Sequence, residues 1–325
     1  MLAQKLYEAN SNPTKPNILV IGDLMLDHYI FGSATRLSPE APVPIVNVKK
    51  ENKIIGGAAN VASNLVDLGA VVSLAGIIGN DRPGEEIKSI LSTKNIGTEL
   101  IIKDDSRTTT VKTRVIAGNH QIVRIDQEEI HDITTGLEEL FFNALRPCIE
   151  SCDIVILSDY NKGLLTYNLS LKIIETCNAL HKKIIVDPKG LDYTKYKGSF
   201  IIKPNRKELA EAAKTDKTHS QEDLIAAASV IFSTTAASYL IVTLSEGGIA
   251  IITPGDCKIL PVVATEVYDV TGAGDTVIAT LAYCIALGFS IEEACAVSNY
   301  AAAIVIKHIG SATTTIEEIL TALKK

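Results

Sequence analysis

Short apolar runs alternate with amphipathic stretches along most of the chain, and the alternation predicts strands and helices in turn. Asn17–Gly22 is a compact apolar run ending in glycine, the pattern of a parallel strand buried on both faces. Val71–Ile78, Ile154–Leu157, Ile184–Val186, Phe200–Lys203 and Tyr239–Leu244 repeat it. Helical patterning fills the gaps over Val61–Leu68, Gly84–Ser92, Thr135–Ile149, Leu169–Leu180 and Leu224–Phe232. Ile249–Thr253 and Lys258–Val262 read as an antiparallel pair. The order predicts an α/β fold: a mostly parallel, doubly wound sheet with helices on both faces.

Two stretches break this rhythm. Between Phe31 and Lys53 the prolines Pro39, Pro42 and Pro44 are followed by alternating Ile45–Val48, which predicts extended segments and edge strands. Thr108–Asp126 alternates around Ala117-Gly118-Asn119, a hairpin turn. The two segments, 31–53 and 108–126, predict a small β-sheet lid on the ligand face of a single domain spanning 1–325.

Polar clusters recur just after the predicted strands: Asp23 and Asp27, Ser158–Gly163, Asp187–Lys189, Pro204–Glu208 and Ser245–Gly248. Ligands of open α/β sheets bind outside the carboxyl ends of the strands, so these clusters predict one crevice. Composition narrows what it holds. Of 325 residues, 46% are hydrophobic and 21% charged, which is a globular balance. A net charge of −7 argues against a dedicated nucleic-acid binder. The six cysteines form no C-x-x-C pair and read as thiols of a reducing compartment. Met1–Asn17 lacks the apolar core of a secretory signal, and Val277–Leu287 is too short to span a bilayer. A soluble cytoplasmic protein without membrane or nucleic-acid partners is expected. No P-loop, protein-kinase set, His/Cys zinc cluster or G-x-S-x-G elbow occurs.

The candidate chemistry centres on Tyr268–Thr276, where Gly272, Ala273, Gly274 and Asp275 lead into the apolar segment Val277–Leu287. A glycine turn feeding a helix leaves N–H groups free to cradle an anion. Asp275 in the first helical turn has three readings. It could simply favour the helix dipole. A dinucleotide-binding turn is discounted, because Val277 stands where the third glycine of G-x-G-x-x-G belongs. Or it is a general base beside an oxyanion cradle, taking a proton from an attacking hydroxyl. Gly56-Gly57-Ala58-Ala59-Asn60 opens a helix whose start suits either contact with a sugar or close helix–sheet packing. Asn205 and Glu208 form either a plain capping box or a pair that reaches water on Mg²⁺. Lys112, Arg114 and Arg124 could hold an anionic group or face solvent.

Three motifs stand in order along the chain: Gly-Gly-x-x-Asn at Gly56–Asn60, Asn-x-x-Glu at Asn205–Glu208, and Asp269–Asp275. In these the chain resembles the ribokinase-like family of carbohydrate kinases over nearly its whole length. Val270 departs from the threonine common in the family, at a position where the anion contacts are made by backbone. Within the family the chain further resembles bacterial kinases of D-glycero-D-manno-heptose 7-phosphate. That likeness rests on Gly22–Asp27, Arg36–Pro44, Ser158–Gly163 and Val186–Gly190. The resemblance implies transfer from ATP to the anomeric O1, giving the 1,7-bisphosphate used for ADP-heptose and lipopolysaccharide core. No His-x-Gly-His motif of a fused adenylyltransferase occurs, so the kinase activity alone is implied. It further implies that Asp275 is the base and that Asp27, Gly56, Gly57 and Asn60 bind the sugar. Arg36, Lys112, Arg114, Arg124 and Lys162 are available for its phosphate. Thr243, Ser245 and Gly247 would lie against the nucleotide, with Asn299 and Ala303 on the adenine side. Mg²⁺ would meet Glu208 through water, and the lid would pair two subunits into a homodimer.

Overall fold

The computed structural model describes residues 2–118, 120–263, 266–308 and 310–324. Helix α1 (Leu2–Asn10) occupies a segment whose pattern signals no element; burial of Leu6 and the Lys5–Glu293 pair at 2.5 Å hold it in place. Then come β1 (Asn17–Gly22), β2 (Leu24–Leu37), β3 (Pro44–Gly57), α2 (Ala58–Asp67), β4 (Val71–Gly79), α3 (Arg82–Thr93), β5 (Leu100–Asp104), β6 (Thr110–Ala117) and β7 (His120–Gln127). The middle of the chain forms α4 (Thr135–Ser151), β8 (Ile154–Ser158), α5 (Tyr167–Ala179), β9 (Lys183–Asp187), β10 (Ile201–Ile202), α6 (Arg206–Ala212) and α7 (Gln221–Thr235). The last elements are β11 (Tyr239–Thr243), β12 (Ile249–Thr253), β13 (Asp256–Leu260), α8 (Ala273–Ala286), α9 (Ile291–Val305) and α10 (Ile316–Leu323).

Among the described residues the main sheet has nine strands in the order β13-β12-β11-β10-β9-β8-β1-β4-β5. It is parallel from β11 to β5, and β12 and β13 pair antiparallel at one edge, as the sequence pattern predicts. The edge strand β5 is not read from that pattern: its apolar run is only Leu100–Ile102, followed at once by Lys103 and Asp104. Alternation of side chains divides the core into two halves: Ile18 and Val20 point to one layer, Leu19 and Ile21 to the other. Fully burying such a side chain contributes about 1.5–3 kcal/mol.

The second sheet has the order β3-β2-β6-β7. It is the small β-sheet expected from 31–53 and 108–126, but β2 and β3 run deeper than the first segment, while β6 and β7 nearly match the second. The chain leaves β1 through one residue, Asp23, and enters β2 at once, so Asp27 is a lid residue rather than part of a loop. Strand β6 lies parallel to β2, with Asp27 opposite Lys112 and Tyr29 opposite Arg114. The turn read at Ala117-Gly118-Asn119 includes Asn119, which lies outside the described residues; Ala117 pairs with His120 across the antiparallel β6–β7 ladder.

Helix α8 is apolar on every face and buried from Asp275 to Ile285, so it packs as a central core helix against α2 and α9. One polar contact indexes it on α2, and a second within α2 supports the first. Thr276 Oγ1 donates to Asn64 Oδ1 at 2.9 Å, and Asn64 Nδ2 donates to the Asn60 carbonyl at 2.9 Å. A buried polar pair between otherwise greasy helices fixes their register, because sliding would strand both groups without partners.

Candidate active site

The turn before α8 is built by Gly272, which takes φ +78°, a left-handed conformation that glycine adopts without penalty. A Cβ there would also press on Asn60 Nδ2 and Ser311, at 3.0 and 3.2 Å. Asp269 braces the approach: its carboxylate accepts from Thr271 N at 2.9 Å, Thr271 Oγ1 at 2.7 Å and Gly310 N at 2.8 Å. The turn therefore presents the N-terminus of a long buried helix to the crevice.

Asp275 is buried there with both oxygens engaged. Asn60 Nδ2 donates to Oδ2 at 2.6 Å, and the Tyr160 hydroxyl donates to Oδ1 at 2.7 Å. Burial raises the Asp275 carboxyl above the usual carboxylate range, while these two donors and the Lys203 ammonium pull it down and the charge of Asp27 adds to the rise. Burial and the Asp275 carboxylate push the Tyr160 phenol well above its ordinary value, so it stays a donor. The sequence pattern marks Tyr160 only as part of a polar cluster. Its role depends on the loop after β8, which Asp23 holds by accepting from Tyr160 N at 2.8 Å and Lys162 N at 3.2 Å.

On the lid side, Asp27 forms an ion pair with Arg114, whose guanidinium lies 5.3 Å from the Tyr29 ring centroid. Gly56 is opposite Met25 in the ladder, and a Cβ on it would stand 2.5 Å from Asp27 Oδ2. Gly57 caps α2, with Asn60 in that helix's first turn. These residues form one wall beside Asp275.

Beyond Asp275 lie two cavities. The smaller, about 240 Å³, is polar and lined by Asp187, Lys203, Asn205, Glu208, Gly272 and Asp275 among others. Lys203 Nζ pairs with Asp187 at 3.0 Å. Burial pushes the Asp187 carboxyl up to about 7 although Lys203 opposes it, and Asp275 and Glu208 add to the rise. Burial alone would lower the Lys203 ammonium, but Asp187, Glu208 and Asp275 outweigh that and raise it. Asn205 and Glu208 make the reciprocal capping box of α6, at 2.9 Å in both directions, and Glu208 Oε1 also accepts from Lys189 Nζ at 2.7 Å. The capping-box reading of that pair holds, and the cap faces the cavity.

The larger cavity, about 500 Å³, is mainly apolar and lined by Thr243, Ser245, Val262, Asn299, Ala303 and the helix start Ala273–Gly274. Asn299 Nδ2 donates to the Pro261 carbonyl at 2.6 Å, which orients its amide. Gly247 does not line this cavity; Gly248 does. Two of the predicted cations are not drawn to the centre. Arg36 is exposed toward the far end of β2, and Arg124 is exposed on β7 and paired with Asp126 at 2.9 Å. Lys162 pairs with Glu128 at 2.7 Å.

Among the described residues no cluster of three or more His, Cys, Asp and Glu is placed to grip a metal ion, and no helix is long and apolar enough to cross a membrane. The oxygen-only donors Asp187 and Glu208 instead fit a hard divalent ion that keeps much of its water shell.

Comparison with known proteins gives concordant matches. The model of the pfkB family carbohydrate kinases matches residues 15–318. The bifunctional protein HldE of Sulfurimonas denitrificans is 46% identical over 304 residues, covering 94% of this chain and 63% of that protein. HldE of Helicobacter pylori is 46% identical over 308 residues, covering 95% and 66%. The chain thus spans a little under two-thirds of the length of these relatives. The structure of Arabidopsis thaliana ribokinase complexed with ribose and ATP superposes with a TM-score of 0.76 at 19% identity, over 96% of this chain and all of that one. Ribokinase from Thermotoga maritima gives 0.75 at 20%, covering 95% and 100%. At that identity the likeness is one of fold.

Proposed function

The chain belongs to the pfkB family of carbohydrate kinases, and from that premise we propose that it transfers the terminal phosphoryl group of ATP to the anomeric O1 of D-glycero-D-manno-heptose 7-phosphate. One observation carries the reading. The N-terminus of α8 lies where the apolar cavity, the polar cavity and the lid wall meet, with Asp275 between them. A nucleotide base suits the apolar cavity, its phosphates the polar one, and a sugar the wall of Asp27, Gly56, Gly57 and Asn60. The HldE relatives and the residue likeness to heptose 7-phosphate kinases support the choice of sugar.

Asp275 withdraws the O1 proton as O1 attacks the γ-phosphorus. The bond from phosphorus to the β,γ-bridging oxygen breaks, the O1–P bond forms, and ADP departs with the electron pair. Asn60 and Tyr160 aim the carboxylate and keep it ionised. General-base assistance is worth on the order of 10²–10⁴ in rate. The N–H groups of Gly272–Asp275 hold the charge on the phosphoryl oxygens, with Lys203 beneath the same turn. Mg²⁺, when bound, neutralises triphosphate charge, and Asp187 and Glu208 would hold it through water. The lid excludes water that would otherwise compete with the sugar.

The same reading covers the whole chain as one kinase domain acting in the cytoplasm, where ATP and sugar phosphates are found. The outer face of the lid exposes Val123 and Ile125 on β7, which suits pairing with a second lid in a homodimer. An ADP-release assay over sugars with and without a terminal phosphate tests the function. Preference for heptose 7-phosphate supports it, and preference for an unphosphorylated sugar overturns the substrate.

A further inference from the structure

The basic residues around the sugar wall differ in whether their charge is already spent. Arg114 is committed to Asp27, Arg124 to Asp126 and Lys162 to Glu128. Arg36 lies nine residues beyond Asp27 on β2, on the order of 30 Å along an extended strand. Lys112 is different. Among the described residues it has neither an ion pair nor a side-chain hydrogen bond, yet it is half-buried on the lid.

Its position is also the most telling. Lys112 is opposite Asp27 on one neighbouring strand and Asp126 on the other, on the face that carries Arg114. Its Nζ lies 5.8 Å from the ring centroid of Tyr160, the residue whose hydroxyl holds Asp275. One end of that tyrosine touches the carboxylate proposed as base, and its ring face carries an ammonium that makes no ion pair among the described residues. Burial, then the nearby Lys162 charge, lowers the Lys112 ammonium although Asp27, Glu128 and Asp126 oppose the shift, a net cost that an anion would relieve.

The geometry points to Lys112 as the specificity-determining residue that receives the distal phosphate of a sugar-phosphate substrate whose reactive hydroxyl lies at Asp275. The assignment rests on the sugar-phosphate reading above. Lys162 flanks the same anion, and Arg114 keeps Asp27 in place rather than taking the phosphate itself.

The test compares wild type, Lys112→Met and Lys112→Arg by ADP release, with heptose 7-phosphate and unphosphorylated heptose as acceptors. Wild type is expected to favour the phosphorylated sugar. Lys112→Met lowers the ratio of kcat/KM values for the two sugars about 10- to 100-fold, mostly through KM, as loss of a hydrogen bond to a charged group implies. Lys112→Arg keeps the ratio within a few-fold. If wild type shows the preference and Lys112→Met retains it, or loses equally on both sugars, the assignment of Lys112 falls and the substrate class stands. If wild type shows no preference, the sugar-phosphate reading falls and Lys112 with it. Should Lys112→Met fail to fold, Lys112→Gln carries the same comparison.

Discussion

Asn60 Nδ2 lies 2.6 Å from Asp275 Oδ2, joining residues 215 positions apart in the chain. The first turn of α2 thereby aims the carboxylate at the start of α8. Tyr160, from the loop after β8, supplies the second donor at 2.7 Å. Two donors on a buried carboxylate favour its ionised form, which a general base needs.

Replacing Asp275 by Asn should lower kcat by about 10²–10⁴ while the dissociation constants of ATP and sugar change by only a few-fold. Steady-state rates paired with equilibrium binding decide this. Turnover at the wild-type rate would remove Asp275 from the base role.

The same substitution should stabilise the apo protein, with a pH dependence. Burial raises the folded-state carboxyl of Asp275, so ionising it there costs folding free energy. That cost is absent below the unfolded value and complete above the folded one. Asp275→Asn should therefore unfold at a higher temperature than wild type at about pH 8, with the gap closing near pH 4. Calorimetry across that range checks the sign.

Tyr160→Phe removes a donor that lowers the Asp275 carboxyl, so the carboxyl should rise further. Activity requires the ionised base, and the acid limb of the kcat profile should move to higher pH. A kcat loss of about 10-fold is expected, with sugar KM little changed. A limb that stays in place would reduce Tyr160 to a packing residue.

Gly56→Ala places a methyl 2.5 Å from Asp27 Oδ2, a side chain pinned by Arg114. Sugar KM should rise by about 10-fold or more while ATP KM holds within a few-fold. Equal effects on both substrates would argue for general damage to the fold.

Glu208→Gln retains an oxygen able to accept from Asn205 N, so the α6 cap survives while the charge is lost. The Mg²⁺ concentration for half-maximal rate should rise about 10-fold. An unchanged requirement would leave Glu208 as a cap alone.

Much of this molecule could be read locally. Apolar runs such as Leu19–Ile21 announce buried strands because burial on both faces needs no alternation. The glycine turn at Gly272, the cap at Asn205 and the lid alternation around Ile45–Val48 are each properties of a few adjacent residues. Helix α1 and strand β5 escaped because their stability comes from partners far along the chain: α10 and Glu293 for α1, and β4 for β5.

The site divides the same way. Residue types and spacing singled out Asp275, Gly56, Asn60 and Glu208, since a base, a close approach and a cap each demand particular side chains. Which donors hold Asp275, which cations are already paired and where Arg36 and Arg124 end up were decided by folding alone. Ion pairs and buried hydrogen bonds are matters of distance between separate elements. No pattern within one segment encodes the 2.7 Å between Tyr160 and Asp275, or that Lys112 makes no ion pair among the described residues although Asp27 and Asp126 stand opposite it.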